Sequence, residues 1–370
     1  MDLTNLRQEI DTLDAQLCQL LTRRMTLTDQ VGAYKLEHGI PVLNAARERE
    51  ILERLPREYP ELRNIYAQIF ECSRARQSAL LPNPYVSRIS QAIKKTPSLF
   101  PAGAQVACQG VEGAYSMMAC ERLFEQPQIT WVKTFGAVFA ALDSGLCQYG
   151  IVPVENSTAG SVKKIYSLLQ THQCYIVRST RLKINHALLG LPGAERITRV
   201  YSHEQALSQC AEHLSALGVT TYPCANTAQA AQLVAESGRR DWAALASARC
   251  APLYGLTVLE QDMNDSGNNH TRFLCVGKQP EVYPGSNRTT LGLILPHRPG
   301  SLAQVLNRMY ARNLNVLKLE SIPLPEKDFE FGFYMDVEAS MYSDKLAQML
   351  GDLQEVCEEI TYFGTYLEVV

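Results

Sequence analysis

The sequence has no run approaching the ~18 consecutive apolar residues of a membrane-spanning helix, which excludes a transmembrane α-helical protein. It lacks any C-x-x-C pair: its 11 cysteines, an odd count, are scattered from Cys18 to Cys357, so neither a disulfide framework nor a zinc site is indicated. A G-x-G-x-x-G run is missing too, which removes the usual dinucleotide site. Charge of one sign is scarce, since the net value is only -3, and nucleic acid is therefore not expected as a partner. The opening residues MDLTNLRQEIDTLD mix charges without an apolar core or cleavage site, as expected of a cytoplasmic chain. What remains is a composition with 46% hydrophobic and 20% charged residues, suited to folding around more than one core over 370 residues.

Three segments differ in pattern. Residues 1 to about 80 carry almost no strand signal and predict helices. From Gln105 to about Val276, β-rich runs (QVAC, YGIVPV, YIV, RVYS, VTTY, WAALA) alternate with helical stretches, the α/β pattern. After Tyr283-Pro284-Gly285 the order is β-α-β-β-α-β, the ferredoxin-like plan. The stretches SQAIKKTPSLFPAG and KQPEVYPGSNR, rich in Pro, Gly and charge, are expected as linkers. The expected domains are 1–90, 104–280 and 288–370.

In the first segment, Leu6, Ile10, Leu13, Leu17, Leu20, Leu27, Val31 and Tyr34 alternate steps of four and three, a heptad seam broken only by Arg24. His38-Gly39 with Pro41 beyond predicts the helix end. A rod of about 50 Å is too long for its own small domain to cover, so a second chain is expected along it. A cation in an apolar seam needs an anionic answer, either a ligand or an internal carboxylate. Lys35 returns to nearly the same face roughly 16 Å on, while Arg7, roughly 25 Å from Arg24, could join only from an antiparallel neighbour. Asn44 is the expected cap of a second helix bearing Arg47 and Glu48, and Ser73 and Gln77 share one face of a third, expected over residues 61–81. The plainer reading makes Arg7, Arg47 and Glu48 a solvated face.

The motifs LRQEIDTLDAQLCQLLTRR, VGAYK, AREREIL and CSRARQ resemble the all-helical chorismate mutase family. That resemblance implies that Arg24, Arg47 and a second copy's Arg7 hold the carboxylates of chorismate. Lys35 and Gln77 would meet the ether oxygen, with Glu48 and Ser73 completing the pocket. Asn44, where the family often has aspartate, would make a secondary contact. Such a rearrangement needs no acid, base, metal or cofactor, only a dianion held in a reactive shape and donors aimed at the ether oxygen.

In the α/β segment, QVACQGVEGAYS, YGIVPVENSTAGSV, RVYSHEQALSQC and NNHTRFLCV each pair a strand with a polar turn, where α/β folds bind ligands. Gln205, three residues after Ser202, could be no more than a capping box. Together these blocks resemble prephenate dehydratase, with the Thr-Arg-Phe triplet the most specific piece. The resemblance implies two α/β lobes like type II periplasmic solute-binding folds, crossing near RLKINHALLG, with prephenate in the cleft. It points to Thr271 as the donor near the leaving hydroxyl, assisted by Asn156 and Gln205, with Glu155, Ser157, Thr158 and Arg272 as binding candidates. Whether Thr271 or Glu155 moves the proton stays open. Glu204 stands where the family often has proline.

Residues 288–370 resemble an ACT domain, which implies an L-phenylalanine site at Gly300, Ser301 and Leu302 with Glu320 and Ser321. Ser301 and Ile322 depart from the family's alanine and arginine, and a plain dimerisation module of the same fold is the alternative. The segments together imply an enzyme of phenylalanine biosynthesis, homodimeric or larger. The rivals are a dehydratase of prephenate or arogenate with a decayed mutase, and a non-enzymatic amino-acid-binding regulator.

Overall fold

In a computed structural model, the structure describes residues 2–80, 84–323, 331–340 and 342–370. Among them no helix is long and apolar enough to cross a membrane. The seam folds as one continuous helix, α1 (Leu3–Glu37), which ends at His38 where Gly39 takes φ +63°. Asn44 caps α2 (Ala45–Glu53), its side-chain oxygen accepting from the Arg47 amide at 3.0 Å. The third helix, α3 (Glu61–Ser78), stops short of the expected Leu81, which lies outside the described residues. A further helix, α4 (Pro84–Lys95), occupies the first part of the expected linker; Pro84 opens it where no amide is needed, and Pro97 follows its end.

The α/β segment makes two lobes. The first runs β1 (Gln105–Gln109), α5 (Tyr115–Leu123), β2 (Gln128–Val132), α6 (Phe135–Asp143), β3 (Tyr149–Asn156), the short β4 (Gly160–Ser161), α7 (Lys163–Thr171) and β5 (Tyr175–Lys183). The chain then crosses to β6 (Ala187–Gly190), β7 (Arg199–His203), α8 (Glu204–Gln209), α9 (Ala211–Leu217), β8 (Thr220–Cys224), α10 (Thr227–Ser237), β9 (Trp242–Ala246), α11 (Cys250–Tyr254) and β10 (Thr257–Glu260). It returns as β11 (His270–Gly277), which lies antiparallel between β3 and β5. The lobe sheets are ordered β5-β11-β3-β1-β2 and β10-β6-β9-β7-β8. The first crossing, across residues 184–186, lies within the expected RLKINHALLG stretch. The expected strands are present. Strands β2, β6 and β10 were not expected: QITWV, ALLG and TVLE are too short to show a period, and pairing with neighbours decides them.

The C-terminal segment follows the expected β-α-β-β-α-β order: β12 (Arg288–Ile294), α12 (Ser301–Ala311), β13 (Asn315–Pro323), β14 (Phe331–Glu338), α13 (Lys345–Leu353) and β15 (Glu359–Val369). Its sheet order, β13-β14-β12-β15, is the ferredoxin-like one. Two compact units emerge: residues 1–91 with 291–361, and residues 92–290 with 362–370. In the first, α3 packs on α1, α12 and α13. In the second, separate apolar clusters fill the two lobes, and Leu367–Val369 add to the β5 edge in parallel.

Candidate active sites

The heptad seam of α1 is laid bare: Leu6, Ile10, Leu13, Leu17, Leu20, Leu27, Val31 and Tyr34 are 38% to 66% exposed. Arg24 turns from that seam towards α3, where its Nη1 donates to Ser73 Oγ at 2.6 Å and its guanidinium lies 5.8 Å from the Phe70 ring centre. Among the described residues it makes no ion pair, so no internal carboxylate answers it. Ser73 passes its own proton to the Ile69 carbonyl (2.7 Å), leaving its oxygen to receive Arg24.

Gln77 is buried one turn further along α3, and its Oε1 is buried with no hydrogen-bond partner among the described residues. Gly32 permits this approach, because a Cβ there would sit 3.1 Å from Gln77 Cγ and 3.0 Å from Leu80. Lys35 Nζ donates to the Val42 carbonyl at 2.5 Å, and burial lowers its pKa while Glu48 and Glu355 push it back up. Glu48 is held by Arg74. Arg47 is exposed and paired with Glu50 at 2.6 Å, and Arg7 is exposed on α1 itself, out of reach of Arg24 along one straight helix. Arg24, Ser73, Lys35, Glu48 and Gln77 therefore come from α1, α2 and α3; Arg47 neighbours Glu48 on α2 with its guanidinium on Glu50, and Arg7 alone lies far from Arg24. Asn44 spends its side-chain oxygen on the α2 cap.

The second constellation centres on Asn156 at the end of β3. Its Nδ2 donates to Thr271 Oγ1 and to Asn269 Oδ1, both at 2.8 Å. Its Oδ1 accepts from the Thr158 amide (3.0 Å), Thr158 Oγ1 (2.7 Å) and the Ala159 amide (2.9 Å). Because Thr271 Oγ1 accepts from Asn156, its own hydroxyl proton remains free to be donated. Gln209 extends the network, receiving Asn269 Nδ2 at 2.9 Å and donating to Thr158 Oγ1 at 2.7 Å. Beside it opens a cavity of about 670 Å³ lined by Thr158, His203, Gln205, Gln209, Asp265 and Asn269 among others.

Several expectations change here. Ser202 and Gln205 form no capping box: the strand runs on to His203, which caps α8 by receiving the Gln205 amide, and Ser202 Oγ donates to the Leu245 carbonyl. Gln205 is thus left to the cavity. Arg272 and Glu155 do not line it. They pair at 3.1 Å from adjacent register positions of β11 and β3, and side-chain alternation turns them from the face carrying Thr271 and Asn156. Ser157 serves its own turn, donating to the Asn268 carbonyl and receiving the His270 amide. Gln209 and Asn269 were missed, although Gln209 lies one helical turn after Gln205 and Asn269 immediately precedes the His-Thr-Arg-Phe run.

A second cavity, about 590 Å³, is lined by Gly300, Ser301, Leu302, Phe331, Phe333 and neighbouring residues of the loop before α12. Gly300 takes φ +85°, open to glycine without strain, and Ser301 Oγ donates to the Pro296 carbonyl at 2.7 Å. Glu320 and Ser321 lie on β13 and do not line the cavity; Ser321 is opposite Phe333 in the sheet.

Comparison with known proteins adds to this geometry. A family model of chorismate mutase type II matches residues 6–78, and one of prephenate dehydratase matches residues 106–281. The bifunctional chorismate mutase/prephenate dehydratase of Escherichia coli K12 is 31% identical over 384 residues, 98% of this chain and 95% of that one. Arogenate dehydratase/prephenate dehydratase 1, chloroplastic, of Arabidopsis thaliana is 36% identical over 71% of each chain. The crystal structure of prephenate dehydratase in complex with L-Phe from Arthrobacter aurescens, 24% identical, superposes with a TM-score of 0.65 over 71% of this chain and 90% of that one, which is a likeness of fold. A helical segment with a cation that no carboxylate answers among the described residues, a two-lobed segment with a free threonine proton, and a relative aligned along nearly the whole length place this chain in the bifunctional chorismate mutase/prephenate dehydratase family, with both activities.

Proposed function

We propose that the chain converts chorismate to prephenate in a pocket built from Arg24, Lys35, Arg47, Glu48, Ser73 and Gln77, with Arg7 supplied by a second copy. Prephenate is then dehydrated at the Asn156–Thr271 centre of the same polypeptide, within the three segments 1–90, 104–280 and 288–370. The observation that carries the reading is Arg24: a cation met, among the described residues, by the Ser73 hydroxyl and the Phe70 ring but by no carboxylate leaves room for an anionic substrate. The buried, unpartnered oxygen of Gln77 supports the same pocket. The bare seam supports a second copy packed antiparallel along α1, which brings Arg7 within reach.

In the rearrangement the ether C–O bond breaks as a C–C bond forms. The cations hold two carboxylates in place, and Lys35 and Gln77 face the charge growing on the ether oxygen. In the second reaction the ring carboxylate leaves as carbon dioxide, its electron pair completes the aromatic ring, and the departing hydroxyl takes a proton to leave as water. Thr271 donates that proton or a hydrogen bond in its place, Asn156 holds its oxygen, and Gln205 lines the cavity that opens beside their hydrogen-bond network at Thr158, Gln209 and Asn269. Bulk solvent restores the proton, so one is consumed per turnover.

The cavity at Gly300, Ser301 and Leu302 is the proposed seat of L-phenylalanine, making residues 288–370 an ACT-type sensor. The two phenyl-bearing residues on its wall, Phe331 and Phe333, suit an aromatic guest. A coupled assay tests the whole reading: chorismate absorbance should fall, phenylpyruvate should follow, and added L-phenylalanine should slow the second step. Chorismate consumed without phenylpyruvate, or rates indifferent to L-phenylalanine, would overturn the corresponding part. Faster turnover of arogenate than of prephenate would change the second substrate.

A further inference from the structure

Outside the two reaction sites, the densest buried charge lies where α3 packs on α12 and α13. Glu71, Arg74 and Arg308 are only 4%, 8% and 2% exposed. Arg74 donates to both Glu71 and Glu48. Arg308 Nε lies 3.2 Å from Glu71 Oε2, and its Nη2 donates to Glu355 Oε2 at 3.1 Å. Five groups thus alternate in sign along a chain: Glu48, Arg74, Glu71, Arg308 and Glu355. Arg312 ties the same elements again, donating to the Ala75 carbonyl at 2.7 Å while paired with Asp352 at 2.8 Å.

Holding helices together with buried ions is expensive, because desolvation cancels most of the attraction and apolar residues of similar size would serve as well. The arrangement does something apolar packing cannot: it fixes where two particular charges sit. One carboxylate, Glu71, is shared by two guanidinium groups, and one guanidinium, Arg74, is shared by two carboxylates. Arg308 satisfies one side of Glu71 and leaves Arg74 able to hold Glu48. Without Arg308, Arg74 would be the sole cation beside a buried Glu71 and would be drawn towards it, releasing Glu48.

We propose that Arg74 and Arg308 are positioning residues of the mutase reaction, and that residues 291–361 complete the mutase pocket by setting Glu48 through Arg74 and Glu71. The inference rests on the assignment of Glu48 to the chorismate pocket. Neither arginine is a catalytic residue, since each acts through another side chain.

The test uses the full-length chain. Arg308→Met should lower mutase kcat/KM by about tenfold while dehydration of supplied prephenate stays within about twofold. Glu71→Gln combined with Arg308→Met leaves Arg74 to Glu48 alone and should restore mutase kcat/KM to within about threefold of the parent. Arg74→Lys, which can grip one carboxylate but not two in a fork, should fall between them. A role confined to stability would leave the double variant no more active than Arg308→Met. Folded Arg308→Met protein with an unchanged mutase, or a folded double variant without recovery, overturns the proposal. Arg24→Ala separates the two levels: if it retains mutase turnover, the pocket assignment itself fails, and if it is inactive while the Arg74 and Arg308 variants behave as the parent, only the positioning proposal does.

Discussion

Replacing Thr271 by valine removes one hydroxyl and almost no volume, so its effects on folding and on chemistry can be worked out separately. In the folded chain Thr271 is 9% exposed and its Oγ1 accepts one neutral hydrogen bond, 2.8 Å from Asn156 Nδ2. Losing that bond costs about 1 kcal/mol. The cost is not larger because Asn156 Nδ2 keeps its second acceptor, Asn269 Oδ1, and no buried donor is stranded. In a chain of this size the melting temperature should fall by no more than about 2–4 °C. The chemical effect should be far greater. If the free hydroxyl proton stabilises the departing oxygen, its removal should lower kcat for dehydration by about a hundredfold to a thousandfold, or about 2.7–4 kcal/mol of transition-state stabilisation. The assay supplies prephenate and follows phenylpyruvate, with chorismate consumption by the same preparation as the internal control for folding. Thr271→Ser, which keeps the hydroxyl, should recover activity to within about tenfold of the parent. Dehydration by Thr271→Val within about threefold of the parent would refute the assigned role, and so would equal loss of both activities in a folded protein.

Arg24→Ala should reduce chorismate turnover by at least about a hundredfold while leaving prephenate dehydration intact, measured on the same two assays. Placing charge in the bare seam, as in Leu13→Asp with Leu20→Asp, should shift the protein to a smaller species in sedimentation and remove mutase activity, with dehydratase activity retained. His186, buried in the first crossing between the lobes and packed against Tyr115, has its pKa lowered to about 4 from 6.5, chiefly by desolvation. Its folded value lies below its unfolded one, so the unfolded chain binds the extra proton first. The stabilisation is complete above about pH 6.5 and shrinks as pH falls towards 4, by about 3 kcal/mol across that window. Melting temperatures recorded from pH 7 to 4 should decline accordingly, and His186→Gln should flatten the decline.

Much of this was legible from local pattern. The α1 seam, its glycine stop and the Asn44 cap follow from a 3.6-residue period and from the φ and hydrogen-bonding habits of single residues, which do not depend on distant partners. Arg24 declared itself because a cation among apolar neighbours breaks that pattern, and the β-α-β-β-α-β order follows from periods of two and of 3.6 succeeding one another. Tertiary structure decided the rest. That Asn156 is the hub of its site depends on bonds to residues 53 to 115 positions away, which exist only once β3, β11 and α8 are in register. Glu155 and Arg272 neighbour Asn156 and Thr271 in the chain yet turn to the other face, because successive side chains in a strand point oppositely. Arg74, Glu71 and Arg308 look like ordinary surface charges in sequence. Only the packing of α3 against α12 takes them out of water, and burial is what turns three unremarkable ions into a coupled set, since their interaction grows as the surrounding dielectric falls.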